Sequence, residues 1–332
     1  MKNNKRNFII ILIITALILY FTLKDDFSQK ITYLFSFDLK WLVLAFTLIL
    51  AYWFLKGLVL FYCTSKIKSD YTPKKGLLLM ITTQFFHAIT PFAAGGQPWQ
   101  IYKLKKDGLS FGEATNIIIQ DFIAYQIALV LLGCLAVIIN HTMHILPSDS
   151  VLQKLVTIGF IINTLVVIVL FLVAFSQKWN KKIIDGSINF LNKIKIIKDK
   201  EKMLKKSESF IKNFHQSALI LFKDKFNMFR IIFLNFIALI GQYLIPFALL
   251  MGLGIYTEPF YIVVTSAYVM LIGSMVPIPG GTGGLEYSFL SFFKNFVTDP
   301  KLSSVMIAWR IVTYYFGIIV GGLTLTFNKE AK

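Results

Sequence analysis

The sequence has little charge and little cysteine. Only 15% of its 332 residues are charged and 56% are hydrophobic, whereas soluble domains are about 25% charged and about 45–50% apolar. This balance excludes an ordinary soluble domain and predicts an all-α integral membrane protein. The two cysteines, Cys63 and Cys134, fall at or within apolar stretches. They form no metal-ligand spacing, so buried free thiols are the favoured interpretation.

Acidic residues are scarce beside basic ones, with 17 against 34 and a net charge of +17. In a soluble protein this excess would suggest nucleic acid as the partner. Here the lysines sit in short loops between apolar stretches, which is typical of the positive-inside bias of membrane proteins. We therefore expect a multi-pass protein of the cell (plasma) membrane, with no nucleic-acid partner.

Catalytic groups are also scarce. Ser and Thr occur in the apolar stretches, but neither His nor paired carboxylates accompany them at the spacing of a nucleophile and its base. His141 and His144 lie three apart, and two ligands without a third make a poor metal site. We therefore expect no metal, no cofactor and no enzymatic activity.

Long apolar runs are what the sequence has in abundance. A spanning helix needs about 20 apolar residues, and six stretches approach this length: 8–23, 41–62, 114–140, 151–175, 229–253 and 302–327. The first resembles a signal sequence but has no small-residue cleavage site, so it is predicted to be an uncleaved helix. Two further stretches, 76–92 and 259–276, each run into a Gly/Pro cluster.

The placement of lysine orients these helices. The N-terminus, the loop 63–75 and the basic segment 176–228 are assigned to the cytoplasm, and the loops 24–40 and 141–150 to the outside. The charges of all the loops fit these assigned sides if both Gly/Pro stretches are re-entrant. The prediction is six full transmembrane helices plus two re-entrant helical hairpins in an inverted repeat, with both termini cytoplasmic.

The chain is thus expected to form a single membrane domain over 1–332. Its first repeat covers 41–175 and its second repeat covers 229–328. The basic segment 176–228 between them is predicted to be an amphipathic helical hairpin on the anionic lipid leaflet. A solvated basic linker is the equally favoured alternative.

The two Gly/Pro clusters resemble each other. In both, a proline precedes a Gly-Gly pair and then an aromatic residue: Pro91, Gly95, Gly96 and Trp99 in one, and Pro279, Gly283, Gly284 and Tyr287 in the other. The opposite predicted entry sides make this an inverted-topology repeat, which is typical of transporters. Chance similarity of two glycine-rich loops is the alternative.

Such a break has a physical consequence inside a membrane. Pro and Gly end a helix and leave backbone groups unpaired, which lipid cannot satisfy, so the break must line a cavity or pack on protein. A helix that begins after Gly96 or Gly284 would direct its positive end at that cavity, which suits a lipid phosphate. Neither run is a nucleotide loop, because no Lys-Ser/Thr pair follows Gly284 and no strand precedes either run.

Three charged residues, Asp121, Glu286 and Arg310, lie within or beside apolar segments. A charge at the bilayer centre costs about 2.5–3.5 kcal/mol on insertion scales. Asp121 and Arg310 follow the two glycine pairs at similar distances, so we expect them to approach each other or to share the cavity. A structural ion pair is the alternative. Gln97 and Gln120 are expected to bond backbone or substrate there.

Two other polar residues receive ordinary structural interpretations. His87 precedes Pro91 by one turn and is predicted to be a helix-packing residue. Lys56 is predicted to extend towards the cytoplasmic end of its helix, with its ammonium at the membrane surface.

The residues 95–108 (GGQPWQIYKLKKDG) and 277–286 (PIPGGTGGLE) resemble the lysylphosphatidylglycerol synthase transmembrane region family, also called the flippase-like domain family. The resemblance covers nearly the whole chain and implies a lipid translocase. In bifunctional members this domain is thought to move aminoacylated phosphatidylglycerol, which a separate soluble domain makes. That soluble domain is expected to be absent here, so a phosphatidylglycerol lysyltransferase name would reflect the family rather than this chain's chemistry.

One departure from the family bears on the substrate. Many relatives carry an acid after the first glycine motif, where this chain has Gln97 and Pro98, and only the second copy keeps its acid, Glu286. The substrate therefore need not be the cationic lysyl lipid. Other single-domain members are linked to isoprenoid-linked sugar pathways.

The function expected from these observations is movement of an anionic or aminoacylated phospholipid, or an isoprenoid-linked lipid, through a midplane cavity. Arg310 would hold the phosphate, while Glu286 and Asp121 would contact a cationic part or carry a proton. The alternatives are a lipid-modifying enzyme and a proton-coupled small-solute transporter, and the oligomeric state stays open. The candidate substrate-binding residues are Arg310, Glu286, Asp121, Gln97, Gln120, Gly95, Gly96, Gly283, Gly284, Pro91, Pro279, Trp99 and Tyr287.

Overall fold

The computed structural model describes residues 27–145, 150–176, 181–182, 186, 188–189, 223–273, 276 and 278–327. Within these ranges the regular elements are helices and none is a strand. The predicted first helix, 8–23, and most of the basic segment 176–228 lie outside the described residues.

The helices follow one another along the chain with short connections. Numbered in chain order, they are α1 (Phe27–Phe35), α2 (Leu39–Ser65), α3 (Pro73–Ala88), α4 (Gly96–Lys106), α5 (Phe111–Met143), α6 (Ser150–Phe175), α7 (Lys225–Tyr243), α8 (Ile245–Gly252), α9 (Pro259–Gly273), α10 (Gly284–Phe293), α11 (Lys301–Arg310) and α12 (Phe316–Phe327). Two 3₁₀ turns, Pro91–Ala93 and Pro279–Gly281, precede α4 and α10, and a π-helical turn, Ile311–Tyr315, joins α11 to α12.

Within the described ranges, four helical segments are long and apolar enough to cross a membrane: α2, α5, α7 with α8, and α11 with α12. They coincide with the predicted spans 41–62, 114–140, 229–253 and 302–327, so these predictions of apolar helices are confirmed. The predicted span 151–175 lies in α6. The stretches 76–92 and 259–276 contain the short helices α3 and α9, and whether these are re-entrant stays a prediction.

The helix starts follow from capping residues in the sequence. The Asp38 carboxylate accepts a hydrogen bond from the Lys40 backbone N–H (3.0 Å) at the start of α2. At the start of α5, Ser110 and Glu113 cap each other's backbone N–H groups, at 3.2 and 2.8 Å. These bonds satisfy donors that an apolar helix otherwise leaves unpaired at its first turn.

The loop predicted over 24–40 contains a helix, α1, that the hydropathy pattern did not reveal. Lys30 of α1 is buried, and its backbone carbonyl accepts a hydrogen bond from the Ser304 hydroxyl of α11 (3.1 Å). The packing of α1 against α11 therefore stabilises a helix that is too short to be expected from its sequence alone.

A surface ion pair joins the two halves of the chain. Lys66, just after α2, donates to the Asp224 carboxylate at the start of α7 (2.6 Å). This hydrogen bond and a second one from the Asn227 backbone N–H hold the pKa of Asp224 below its usual value. The ends of α2 and α7 are thereby held side by side.

The element order repeats along the chain. The same order of elements occurs twice: a long helix, a short helix, a break, a short helix and a long helix. The first set runs from α2 to α5. The second runs from α7 to α12, where α7 with α8 and α11 with α12 each act as one long helix. The two sets interleave, because α2 packs on α7 and α8, and α3 packs on α12. The two breaks contact each other, so two segments far apart in sequence meet among the helices.

Candidate functional site

The two breaks enter their turns with the same backbone conformation. Thr90 is extended, with φ −122° and ψ 145°, and Ile278 is extended with φ −111° and ψ 144°. A proline, Pro91 or Pro279, then begins a 3₁₀ turn in each copy. The likeness of the two glycine-rich motifs therefore extends to their three-dimensional structure.

The two residues after each proline adopt left-handed conformations. In the second break these are Gly280 and Gly281, with φ of 65° and 64°. In the first break they are Phe92 and Ala93, both with φ of 54°. A residue with a Cβ is strained in this region by about 1–2 kcal/mol, so the first break stores strain that the second avoids.

The glycines that open α4 and α10 allow close approach of the preceding chain. A Cβ at Gly96 would lie 1.9 Å from the His87 ring, and a Cβ at Gly284 would lie 2.3 Å from a Val276 methyl group. Each glycine is thus needed because a side chain from before the break occupies the space where its own would be.

The Glu286–Arg310 ion pair holds the second break in place. The Glu286 Oε2 accepts a hydrogen bond from the Gly283 N–H (2.7 Å), and its Oε1 lies 2.8 Å from Nε of Arg310. Because Nε makes no aligned hydrogen bond, this contact is one of opposite charges. The Nη2 of Arg310 donates to the Gly280 carbonyl (3.0 Å) and to the Thr282 hydroxyl (3.3 Å).

Tyr314 connects this arrangement to the other repeat. Its ring lies 4.4 Å from the Arg310 guanidinium, and its hydroxyl donates to the Ala88 carbonyl at the end of α3 (3.1 Å). A Cβ at Gly280 would lie 2.2 Å from the same ring. The π-helical turn Ile311–Tyr315 that carries Tyr314 is a rare conformation that is frequent at functional sites.

A second buried ion pair joins three helices. Lys56 of α2 lies 2.7 Å from the Asp121 carboxylate of α5, and the two side chains are only 7% and 9% exposed. The Lys56 ammonium also donates to Asn235 of α7 (2.8 Å). The expectation that Lys56 extends to the membrane surface is therefore wrong, because Asp121 and Asn235 supply polar partners inside the protein.

A cavity of about 490 Å³ lies between the two ion pairs. Lys56, Asp121 and Arg310 all face it, and so do Ala93 and Gly281 of the two breaks. Asp121 and Arg310 thus have separate partners and line the same cavity. Of the two arrangements expected from the sequence, direct approach or a shared cavity, the structure has the shared cavity.

The other candidate residues divide into those at the cavity and those away from it. Gln97 lines the cavity. Gln120 is buried and lies 3.9 Å from the Met228 sulfur of α7, and it is not among the cavity-lining residues. Tyr287 is 63% exposed on the surface of α10. The remaining prolines and glycines shape the breaks: Pro91, Gly95, Gly96, Pro279, Gly283 and Gly284.

Trp99 has a packing role in the structure. Its ring stacks on Phe86 with 4.5 Å between centroids, and its Nε1 donates to the Thr82 hydroxyl (3.0 Å). Since Thr82 and Phe86 belong to α3, Trp99 fastens α4 back onto the helix that precedes the break.

Comparison with known proteins supports the resemblance of the glycine motifs. The sequence profile of the family described as lysylphosphatidylglycerol synthase TM region matches residues 8–321. The chain belongs to this family. It is also 24% identical, over 332 residues, to a UPF0104 membrane protein of Archaeoglobus fulgidus, and the match covers 95% of this chain and 94% of that protein.

In this member of the lysylphosphatidylglycerol synthase TM region family, sequence reasoning missed much of the cavity lining, including Lys56 and His87. Lys56 is the only charge within the apolar run 41–62, which is the signal that could have identified it. His87 lines the cavity as well as packing on Gly96. Its proximity to the first break along the sequence was the available signal.

Proposed function

We propose that this protein is a lipid translocase. It moves an anionic or aminoacylated phospholipid, or an isoprenoid-linked lipid, between the leaflets of the membrane. The observation that carries the proposal is a cavity of about 490 Å³ among apolar helices, lined by parts of both breaks and by several charged and polar side chains. Family membership supports it as well.

The physical argument concerns the lipid head group. Its acyl or isoprenoid tails can remain in the hydrocarbon phase, but the head group needs a polar path across it. The cavity volume falls within the range of about 300–1,000 Å³ that is usual for ligand sites. Charged side chains inside a membrane domain are candidates for a substrate pathway by default, and this cavity has three of them: Lys56, Asp121 and Arg310.

Each charged residue has a role in the proposal. Arg310 keeps the second break in shape through Gly280 and Thr282 and adds positive potential for a phosphate. Lys56 contributes a second cation to the cavity lining, while Asp121 keeps that cation in place. Glu286, which neutralises Arg310, limits how tightly a phosphate is held and so favours its release.

The membrane placement belongs to the same proposal. The protein spans the cell (plasma) membrane with six full helices and two re-entrant hairpins, and both termini face the cytoplasm. The basic segment 176–228 lies on the anionic lipid of the cytoplasmic leaflet. Nucleic acid has no part in this function.

A reconstitution assay tests the proposal. The purified chain in liposomes should expose fluorescent phospholipid of the inner leaflet to an added quencher, whereas the double variant Glu286→Gln/Arg310→Ala should do so at least tenfold more slowly. The matched control is Lys68→Gln/Asp70→Asn, which removes an exposed ion pair of 3.0 Å and should behave as the wild type. Equal rates in all three proteins would contradict the site assignment.

The same vesicles separate the alternative functions. Lipid extracted after the assay should be chemically unchanged, because the proposal includes no reaction on the lipid; a new lipid species would indicate an enzyme. Solute uptake driven by a pH gradient, without lipid movement, would indicate a proton-coupled small-solute transporter.

A further inference from the structure

The carboxylates at the cavity are already neutralised by the protein itself. Asp121 lies 2.7 Å from Lys56. Glu286 lies 2.8 Å from Arg310 and also accepts from the Gly283 backbone. Among the described residues that line the cavity, Asp121 is the one acidic residue, whereas Lys56 and Arg310 supply two cations.

This charge balance opposes a cationic head group. An aminoacylated lipid carries one or two ammonium groups, and each would need a carboxylate that is free to pair with it. To pair with Asp121, a lipid ammonium would have to displace Lys56. The Lys56 ammonium would then stay buried without its partner, which is strongly unfavourable. A phosphate meets a different situation, because Arg310 uses only Nε and Nη2 towards Glu286, Gly280 and Thr282 among the described residues. Its Nη1 donors stay available to a phosphate without displacing Glu286.

Carboxamides make up about half of the uncharged polar residues in the described lining. Six of them line the cavity: Gln84, Gln97, Gln100, Gln126, Asn163 and Gln242. A carboxamide offers both donors and an acceptor, which matches a hydroxyl group, itself a donor and an acceptor. The hydroxyls of Tyr52, Tyr125 and Thr313 lie on the same wall.

One of these carboxamides has an acceptor that the protein does not satisfy. Gln97 Oε1 is buried and has no hydrogen-bond partner among the residues that the structure describes. A buried acceptor without a partner costs about 1–3 kcal/mol. A hydroxyl of a bound head group would satisfy this oxygen once the Gln97 amide turns it towards the cavity, whereas a further anion would repel it.

We infer that the cavity selects a lipid whose head group combines one phosphate diester with a neutral, hydroxyl-rich group such as glycerol or a sugar. It discriminates against aminoacylated lipids. This inference rests on the proposed function, since it names the substrate class of the same cavity. The cations bind the phosphate, and the carboxamide wall binds the hydroxyls.

The test compares two lipids in one vesicle system. The full chain is reconstituted in phosphatidylcholine vesicles that contain fluorescent phosphatidylglycerol or its lysyl ester, and the rate at which each reaches the outer leaflet is measured. Phosphatidylglycerol is expected to cross at least tenfold faster. If the lysyl ester crosses as fast or faster, the inference is overturned and the translocase proposal stands; if neither lipid moves, the translocase proposal itself fails.

A charge introduced at the cavity should shift this preference. Gln97→Glu keeps the shape of the side chain and adds a free carboxylate, so the ratio of the two rates should move about tenfold towards the lysyl ester. Gln29→Glu, on the exposed surface of α1, is the matched control and should leave the ratio unchanged. If Gln97→Glu unfolds, Gln242→Glu makes the same test at another residue of the lining. An unchanged ratio in a folded variant contradicts the inference.

A further measurement in these vesicles distinguishes a lipid substrate from a free polyol phosphate substrate. Glycerol 3-phosphate trapped in the same vesicles should stay inside, because the inferred substrate is a lipid. Its protein-dependent release would show that the cavity serves a soluble solute, and it would overturn both proposals.

Discussion

At the scale of single residues, four of the buried charges in the described part of the chain form two ion pairs, each between two helices. Lys56 and Asp121 compensate each other, as do Arg310 and Glu286. Removing one member of a buried pair is strongly destabilising, by about 3–5 kcal/mol, because the remaining charge stays buried without a partner. Replacing both members is far less harmful.

A double-mutant cycle measures this for the first pair. Lys56→Met and Asp121→Asn should each lower the free energy of unfolding in detergent by about 3–5 kcal/mol. The double variant should lose clearly less than the sum of the two, because neither charge is left alone. Additive losses would mean that the two residues do not form a pair.

Gly280 is the second residue whose identity the structure explains. Its φ is +65°, and a Cβ there would lie 2.2 Å from the Tyr314 ring. Gly280→Ala should therefore lower the stability by at least about 2 kcal/mol, from the strained backbone and the displaced ring together. The unfolding midpoint in detergent measures the loss.

Gly241 of α7 provides the matched control, since a Cβ there meets no atom within 4 Å. Gly241→Ala should raise the stability by up to about 1 kcal/mol, because alanine favours a helix. If both glycine variants have the same midpoint, the described geometry of the second break is wrong.

At the scale of elements, the two breaks share a left-handed turn after the proline but differ in the residues that form it. Their backbones then diverge, since Gly95 has φ −75° and Gly283 has φ 89°. Gly280 and Gly281 adopt the left-handed conformation freely, whereas Phe92 and Ala93 adopt it under strain. Strained residues persist where the surrounding structure holds them, often at functional sites. The residues of the first break are thus less suited than those of the second to the left-handed turn that both breaks contain.

Ala93→Gly should relieve part of this strain. It introduces the residue found at the matched position of the second break, and it should raise the free energy of unfolding by up to about 1 kcal/mol. Ala51→Gly, on the exposed surface of α2, is the control and should lower it by about 1 kcal/mol. Equal effects of the two substitutions would contradict the left-handed conformation of Ala93.

The sequence predicted the helices well where composition decides them. The four long apolar segments and the two breaks follow from hydropathy and from the Pro and Gly positions. The helix α1 and the partners of Lys56 could not be predicted, because both depend on packing between distant segments. Arg310 was expected to meet the substrate directly, but its shape-holding contacts to Gly280 and Thr282 could be seen only in three dimensions.

At the scale of the whole molecule, the interleaved repeats require a defined orientation in the membrane. A reporter fused after His144 should be active outside, and one fused after Lys200 should be active in the cytoplasm, as the lysine distribution predicts. Reporter activity on the opposite sides would contradict the inverted-topology repeat. The measurement needs only intact cells and expression-matched fusions.

The central claim is that lipid passes through the cavity between the two breaks. The most direct test of this claim is to block the cavity with a bulky group attached to one of its lining residues. With Cys63 and Cys134 replaced by serine, a cysteine at Thr313, which lines the cavity, is labelled with a bulky thiol reagent. The control is a cysteine at Ile319 of α12, which is 58% exposed.

Mass spectrometry gives the fraction of each protein that is labelled, and lipid movement is then measured in liposomes. Labelling at position 313 should abolish movement in proportion to the labelled fraction, while labelling at position 319 should leave it intact. Undiminished movement in fully labelled Thr313→Cys protein would contradict a lipid path through this cavity.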